Sequence, residues 1–466
     1  MNKFFITTAI PYVNAKPHVG HALEFVQADV IARFHKLLGD NTLLLSGGDE
    51  NALKNVQAAE NAGQEVQEFV DTNSKLFEDL AEKLNVEFDV FQKGSAKDHY
   101  ASSQELWKKC AETGDIYKKE YSGLYCVGCE LFYEKEELNE NGECFEHPGK
   151  KLETVMEENY FFKLSRYQDE IKKLLETESL KITPASRKNE MLSFLEHGLQ
   201  DISISRSNER AKNWGVPVPG DDSQRMYVWF DALNIYRSGL KDNYDEFWPA
   251  DTHVIGKGIT RFHAIYWPAF LLSAKLPLPK SLFIHGYFTV NGQKMSKSLG
   301  NVIDPVDLIN KYGADALRYY FLREIPPTED GDFSEEKLKN VYNADLANGL
   351  GNLVSRVAKL CEKIKYSSDY KQDSIDPVVK DNLLEYQFST ALINIWALIS
   401  LTDKQINTEE PWKLEANKLS QKLHEYTSNI IRIAYNLRPF LPETAEKILS
   451  QFSGEIKSSE PLFPRI

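Results

Sequence analysis

Two short motifs, Pro11-Tyr-Val-Asn-Ala-Lys-Pro-His-Val-Gly-His21 and Lys294-Met-Ser-Lys-Ser298, stand almost 275 residues apart in this 466-residue chain. Together they supply cationic and hydrogen-bonding groups suited to one polyphosphate, so any fold that uses both must bring them together. The first motif follows an apolar run, Phe4 to Ile10, that reads as a buried strand. It precedes Val19 to Leu38, where Ala22, Leu23, Val26, Val30, Ile31, Phe34 and Leu37 recur at helical spacing. His18 and His21 therefore stand where a strand turns into a helix, and unpaired N–H groups with the positive end of the helix dipole favour an anion there. Gly20 lets a flat base or ribose approach the backbone. The second motif follows an extended run, Ser281 to Val290, and an Asn291-Gly292 turn signal. Lys294 and Lys297 are thus expected on a loop able to close over a ligand, which suits charge that develops only in a transition state. A solvated basic turn or ordinary helix-start histidines would explain either motif alone, but not both in this order.

The first part alternates strands and helices: Phe4 to Ile10, the helix from Val19, Thr42 to Ser46, a helical stretch through Val66 and Leu84, then Val86 to Phe91. That order predicts half of a doubly wound parallel sheet. From about Ile116 the pattern breaks into short strands and turns, and it resumes with Met226 to Phe230 and Asp251 to Ile255. An insertion between two halves of one nucleotide-binding fold explains the break. After Pro326-Pro327 only helical periodicity remains, over Phe333 to Lys365, Pro377 to Ile399 and Pro411 to Leu437, which predicts a helix bundle. The expected fold is α/β: a Rossmann-like parallel sheet in two halves (residues 1–115 and 223–325), split by an insertion (116–222). A linker (326–344) and a helical bundle (345–466) follow.

Within the insertion, Cys126-x2-Cys129 and Cys144-x2-His147 form a zinc-knuckle pattern whose thiolates and imidazole can close a tetrahedron. No ligand position is left open, so one structural Zn²⁺ is expected. Three reduced thiols and a surface histidine are the alternative. Cys110 and Cys361 stand alone and read as buried hydrophobes. No signal peptide or membrane-length apolar stretch is found, so a soluble cytoplasmic protein is expected.

The two opening motifs resemble the HIGH and KMSKS signatures of class I aminoacyl-tRNA synthetases, and the remaining landmarks resemble the methionyl-tRNA synthetase family over nearly the whole chain. These landmarks are Ala9-Ile-Pro-Tyr12, Tyr227-Val-Trp-Phe-Asp-Ala232, His253-Val-Ile-Gly-Lys257, Phe262-His263, Trp267-Pro268, Asn352-Leu-Val-Ser-Arg356 and Pro461-Leu-Phe-Pro-Arg465. The resemblance implies activation of L-methionine by ATP, with Mg²⁺, and transfer to tRNA(Met) with a CAU anticodon, initiator and elongator alike. It implies that His18, Gly20 and His21 bind the ATP phosphates and that Lys294 and Lys297 face the pyrophosphate, with Arg206 as a further cation. It maps the methionine pocket onto Ala9, Ile10, Tyr12, Trp229, Ala232, Leu233, Tyr236, Ile259 and His263, with Asp49 for the α-amino group. An uncharged thioether offers no strong hydrogen bond, so aromatic walls and a soft fit are the physical answer.

Two departures from the family pattern fall near the nucleoside. Asp49-Glu50-Asn51-Ala52 stands where the family commonly has Asp-Glu-His-Gly. Gly256-Lys257-Gly258 stands where it commonly has Gly-Lys-Asp, which removes a carboxylate expected near the ribose. The insertion, about a hundred residues, is too short for a large editing domain.

Asn348, Asn352 and Arg356 recur every four residues on an expected helix and form one polar stripe, and Trp412 can stack a base. The family uses these positions to read the anticodon. The formal charge of −14 does not suggest a nucleic-acid binder, but the excess lies before residue 345 and the segment after it is near neutral, about −1. Local basic stripes and salt-sensitive binding are expected. The chain ends soon after Arg465 without a further tRNA-binding domain, so a monomer is expected. The competing readings are another class I synthetase, such as a cysteinyl one, whose substrate-binding zinc would need an open position, and a non-catalytic tRNA-binding paralogue, which should have lost the phosphate-binding groups.

Overall fold

The computed structural model describes residues 2–126, 131–133, 135–144, 149–290, 292–294 and 302–466. Its frame is a six-stranded sheet of β1 (Lys3–Thr7), β2 (Asn41–Gly48), β3 (Val90–Lys93), β4 (Lys181–Thr183), β5 (Thr252–Gly256) and β6 (Ser281–His285). The spatial order is β3-β2-β1-β5-β6-β4, and every pairing is parallel. The chain runs outward from β1 through β2 to β3 on one side, and β5, β6 and β4 lie on the other. The β1/β5 boundary is the topological switch point, and in such sheets ligands bind beyond the carboxyl ends of the strands there.

Strand assignments differ from the sequence reading at several places, and in the part expected to hold only helices Gly331–Phe333 is a short strand paired in parallel with Phe288–Val290. β4 comes from inside the stretch expected as insertion and pairs Ser281–Phe283 with Lys181–Thr183. It is three residues long, and only Ile182 is buried. Met226 to Phe230 is not a sheet strand: Asp221–Met226 ends a small antiparallel strand and Val228–Ala232 is a short helix. The turn closes because the Tyr227 carbonyl accepts from the N–H groups of both Phe230 and Asp231.

The helix α1 (Val19–Leu37) packs along β1, β2 and β5 and buries Ala22, Leu23, Phe25, Val26, Val30 and Ile31. Between β3 and β5 the chain also forms a four-stranded antiparallel sheet built on the long pairing of Ile116–Cys126 with Glu153–Phe162. Beyond β6 come α2 (Ala314–Glu324), a helical stretch ending in α3 (Asn352–Lys363), then α4 (Phe388–Glu409) and α5 (Ala416–Leu437). One apolar core runs from α1 and β6 into these helices, through Phe321, Leu346, Leu353, Ile395 and Ile430.

The two parts also meet at Arg318 on α2, which is fully buried. Its guanidinium donates to the carbonyls of Leu84, Pro439 and Phe440 at 3.1, 2.9 and 2.8 Å and pairs with Asp29 of α1 at 2.7 Å. Among the described residues no helix is long and apolar enough to cross a membrane.

Candidate active site

The turn from β1 into α1 opens the crevice at the switch point. His18 is the N-cap of α1: its Nδ1 accepts the Gly20 N–H at 3.1 Å, and the His18 N–H donates to Nδ1 of His21 at 3.2 Å. This reciprocal arrangement has the form of a capping box, with imidazoles in place of the usual hydroxyl and carboxylate. The two rings stack with centroids 4.0 Å apart, and Phe77 meets His21 edge-on. Burial pushes the His18 imidazole down to about 4. The same cause holds His21 well below its ordinary value, helped by the neighbouring His18 and His285. Both rings are thus neutral near pH 7. Because each Nδ1 already accepts a hydrogen bond, the proton of each neutral ring sits on Nε2. The turn therefore presents two neutral N–H donors, where the sequence alone suggested cations.

Below them Glu24, a residue the sequence reading did not single out, ties three elements together. Its Oε1 accepts from the Ala9 N–H at 2.9 Å and its Oε2 lies 2.9 Å from Nε2 of His285 at the end of β6. Buried and already matched, Glu24 holds the ends of β1 and β6 against α1. Only its place on the inward face of an amphipathic helix could have flagged it.

Tyr12, in the segment after β1, meets a cluster of aromatic rings that is largely buried. Trp229 stacks on Phe262 with centroids 3.7 Å apart and planes within 4°, and it meets Tyr12 and His263 edge-on at 6.3 and 6.4 Å. The Tyr236 hydroxyl lies 2.8 Å from Nε2 of His263, whose Nδ1 lies 3.0 Å from the Ile259 carbonyl. A carbonyl only accepts, so Nδ1 carries the ring proton and Nε2 accepts from the tyrosine. Burial lowers the His263 imidazole to about 4, which keeps it neutral. Of the residues the resemblance assigned to methionine, the structure brings Tyr12, Trp229, Tyr236, Ile259 and His263 into one contact set. Ala9, with Ile10 beside it, continues from the end of β1, and Ala232 and Leu233 follow Trp229 in chain. Phe262 and His253 also belong to the wall: His253 lies against Tyr236 at 4.3 Å and bonds to the Thr7 hydroxyl at 2.7 Å.

Asp49 stands at the carboxyl end of β2, bridged to Tyr12, with its N–H on the Pro11 carbonyl. The Lys54 ammonium lies 3.2 Å from the centre of the Tyr12 ring. Asn51 is explained by its neighbours: its Nδ2 donates to the Gly94 carbonyl at 2.8 Å and to Asp231 at 2.6 Å. The other Asp231 oxygen meets Nε2 of His99 at 2.7 Å and the Ser103 hydroxyl at 2.9 Å. This buried polar cluster backs the helix that carries Trp229.

Arg206 is rooted in the small sheets rather than in the turn of α1. Its guanidinium donates to Ser203 and to the Ser205 carbonyl and lies over the rings of Tyr125 and Tyr227. Lys294, expected on a loop, instead belongs to a short strand, Gln293–Lys294, whose backbone pairs antiparallel with Thr289 and Val290. Lys297, Cys129 and His147 lie outside the described residues. Cys126 and Cys144 are buried with their sulfur atoms 3.3 Å apart.

The remaining expected contacts lie on the helices. Asn348 sits in a π-helical stretch, Tyr342–Gly351, that passes into α3, and it is exposed with Asn352. Arg356 reaches Asp403 and Asn407 of α4 at 2.5 and 2.7 Å. Trp412 is 43% exposed just after α4.

Comparison with known proteins bears on this arrangement. Residues 4–358 match the family model described as tRNA synthetases class I (M). The chain is 40% identical to the methionine–tRNA ligase of Brucella suis biovar 1 (strain 1330), across 99% of this chain and 98% of that protein. It is 42% identical to that of Nostoc sp. (strain PCC 7120), across 98% and 91%. The chain belongs to the methionyl-tRNA synthetase family. Among solved structures, Mycobacterium tuberculosis methionyl-tRNA synthetase in complex with methionyl-adenylate superposes with a TM-score of 0.93 at 35% identity, over the whole of both chains. The apo form of that enzyme gives 0.83 at 32% identity, covering 100% of this chain and 98% of that one. As a methionyl-tRNA synthetase family member the chain is an aminoacyl-tRNA synthetase of class I, with the α/β parallel-sheet fold described above.

Proposed function

We propose that this chain activates L-methionine with ATP and transfers it to tRNA bearing a CAU anticodon. The observation that carries the reading is that the segment after β1 bears both the two neutral imidazoles at the start of α1 and Tyr12, which meets the aromatic cluster of Trp229, Phe262 and His263. Adenylate formation is an in-line attack of the amino-acid carboxylate on the α-phosphorus, with pyrophosphate leaving. It needs positioning and charge stabilisation more than acid–base help. In this reading the Nε2–H groups of His18 and His21 donate to phosphate oxygens, Gly20 allows close approach, and Lys294 and Lys297 neutralise the departing pyrophosphate. Mg²⁺ arrives with ATP, held mainly by phosphates and water. The thioether lies between Tyr12, Trp229 and His263, and Asp49 receives the α-amino group. Arg206 acts at a distance, by bracing the small sheets beside Tyr227.

Cys126, Cys129, Cys144 and His147 are proposed to hold one structural Zn²⁺. The two described thiols fit this: 3.3 Å is far beyond a disulfide bond of about 2.0 Å. It is close enough for two thiolates each about 2.3 Å from one ion. Such an ion braces the fold and enters no step. Asn348, Asn352, Arg356 and Trp412 are proposed to read the anticodon, with the Arg356 guanidinium oriented by Asp403 and Asn407. The test is charging of a CAU-anticodon tRNA with each amino acid offered separately. Methionine alone should be attached, and charging with cysteine or with none would reject the reading.

A further inference from the structure

Trp229 and Tyr236 stand on two consecutive helices, Val228–Ala232 and Ile235–Ser238, of five and four residues. Helices that short do not hold their own shape, so the two side chains are fixed by what the helices are tied to. Both are tied to one imidazole. His99, fully buried on the helix Lys97–Glu112 that follows β3, places Nε2 2.7 Å from Asp231 and Nδ1 2.7 Å from the Ser238 hydroxyl. Asp231 lies two residues after Trp229, and Ser238 two residues after Tyr236. Each nitrogen thus holds the helix that carries one aromatic side chain. A carboxylate only accepts, so Nε2 carries a proton, and the serine hydroxyl can answer Nδ1 as donor or acceptor. The helix of His99 adds further ties. The Ser103 hydroxyl donates to Asp231 at 2.9 Å, the Asn234 amide between the two short helices donates to Ser102 and Ser103 at 3.0 and 3.2 Å, and Trp107 meets Phe230 edge-on at 5.4 Å.

We propose that His99 is a positioning residue for the aromatic cluster, fixing the spacing of Trp229 and Tyr236 from behind. A planar ring bonded through both nitrogens keeps the two short helices at one separation. What they carry is set closely: Trp229 lies flat on Phe262 at 3.7 Å, and the Tyr236 hydroxyl meets Nε2 of His263 at 2.8 Å. An uncharged, unbranched side chain is selected by the shape of the walls around it, so the spacing of these rings is a specificity determinant. This role rests on the proposal that methionine binds among them.

The test is methionine-dependent ATP–pyrophosphate exchange by the full chain and its His99→Leu, His99→Gln and Ser238→Ala variants, each assayed below the onset of its thermal melt. His99→Leu removes both hydrogen bonds at similar volume and should raise the KM for methionine by about three- to tenfold, with the KM for ATP unmoved. Its preference for methionine over norleucine should shrink by a similar factor. His99→Gln keeps an amide donor within reach of Asp231 and should recover most of the loss. Ser238→Ala, the mildest change, should raise the KM for methionine about twofold, and it decides the matter if the leucine variant does not fold. A lowered melting temperature with unchanged KM for methionine and unchanged norleucine preference would overturn the proposal, as would an equal rise in both KM values, since either marks a purely structural role. Absence of exchange in the unmodified chain would instead count against the proposed activity. Crystal structures of the parent and the variants then decide His99 separately: a displaced Trp229–Phe262 stack or Tyr236–His263 contact supports it, and both contacts unchanged in every variant would overturn it.

Discussion

At the start of α1 each of two imidazoles already accepts a backbone N–H, which leaves one neutral tautomer with its proton on Nε2. The cost appears in acid. The unfolded chain takes up protons on these rings below about pH 6.5, whereas in the folded chain His18 and His263 hold out to about 4. Between those values the unfolded state binds more protons, so stability is full above about pH 6.5 and falls as the pH drops towards 4. Thermal melts across that range should show the decline, and His18→Asn should flatten part of it. An equally steep decline in the variant would contradict the assignment. In the pocket, Trp229→Ala removes the face that stacks on Phe262 and a large part of the apolar wall. It should weaken methionine binding by tenfold or more, by the usual worth of a buried aromatic, while leaving ATP affinity nearly unchanged in equilibrium titrations.

At the scale of elements, the polar cluster behind the short helix Val228–Ala232 makes its own prediction. Asn51→Ala leaves Asp231 and the Gly94 carbonyl without their amide donor and should cost about 1–3 kcal/mol in urea denaturation. A variant as stable as the parent would show that the cluster is idle. This helix also shows where the sequence was legible and where it was not. The long amphipathic run that became α1 and the apolar runs of β1, β2, β5 and β6 read correctly, because each carries a sustained pattern. Met226 to Phe230 has the aromatic and β-branched content of a strand, and five residues are too few for periodicity to decide. What decides is tertiary: Asp231 is drawn inward to Asn51, His99 and Ser103 from other parts of the chain. β4 is invisible for a similar reason, three residues with only Ile182 buried. The candidate site was legible as far as which residues come together: Tyr12 and Trp229 in one ring contact, and His18 and His21 at one helix start. Glu24 and His253 were not assigned to the site because what they do comes from contacts between distant strand ends.

At the scale of the whole molecule, the helices beyond β6 are fastened to α1. Asp29 lies eight residues beyond His21 on the same helix and pairs with Arg318, which also holds the Pro439 and Phe440 carbonyls. Arg318→Ala leaves the Asp29 carboxylate with Arg33 as its remaining cation, at 2.8 Å, but strands the Leu84, Pro439 and Phe440 carbonyls, and about 1–3 kcal/mol of stability should be lost in urea denaturation. A loss under about 1 kcal/mol would mean that the junction is held by its apolar contacts alone. Arg356→Ala, on the solvent side of the same helical region, should instead reduce tRNA charging while sparing ATP–pyrophosphate exchange. Equal losses in both assays would contradict a division of labour between the sheet and the helices. The most direct test of the central claim is a crystal structure of the chain with a non-hydrolysable methionyl-adenylate analogue and pyrophosphate. The account predicts phosphate oxygens within hydrogen-bond distance of Nε2 of His18 or His21 and of Lys294 or Lys297, with the thioether between Tyr12, Trp229 and His263. An analogue bound away from the β1/β5 crevice, or with its sulfur outside that aromatic wall, would contradict it.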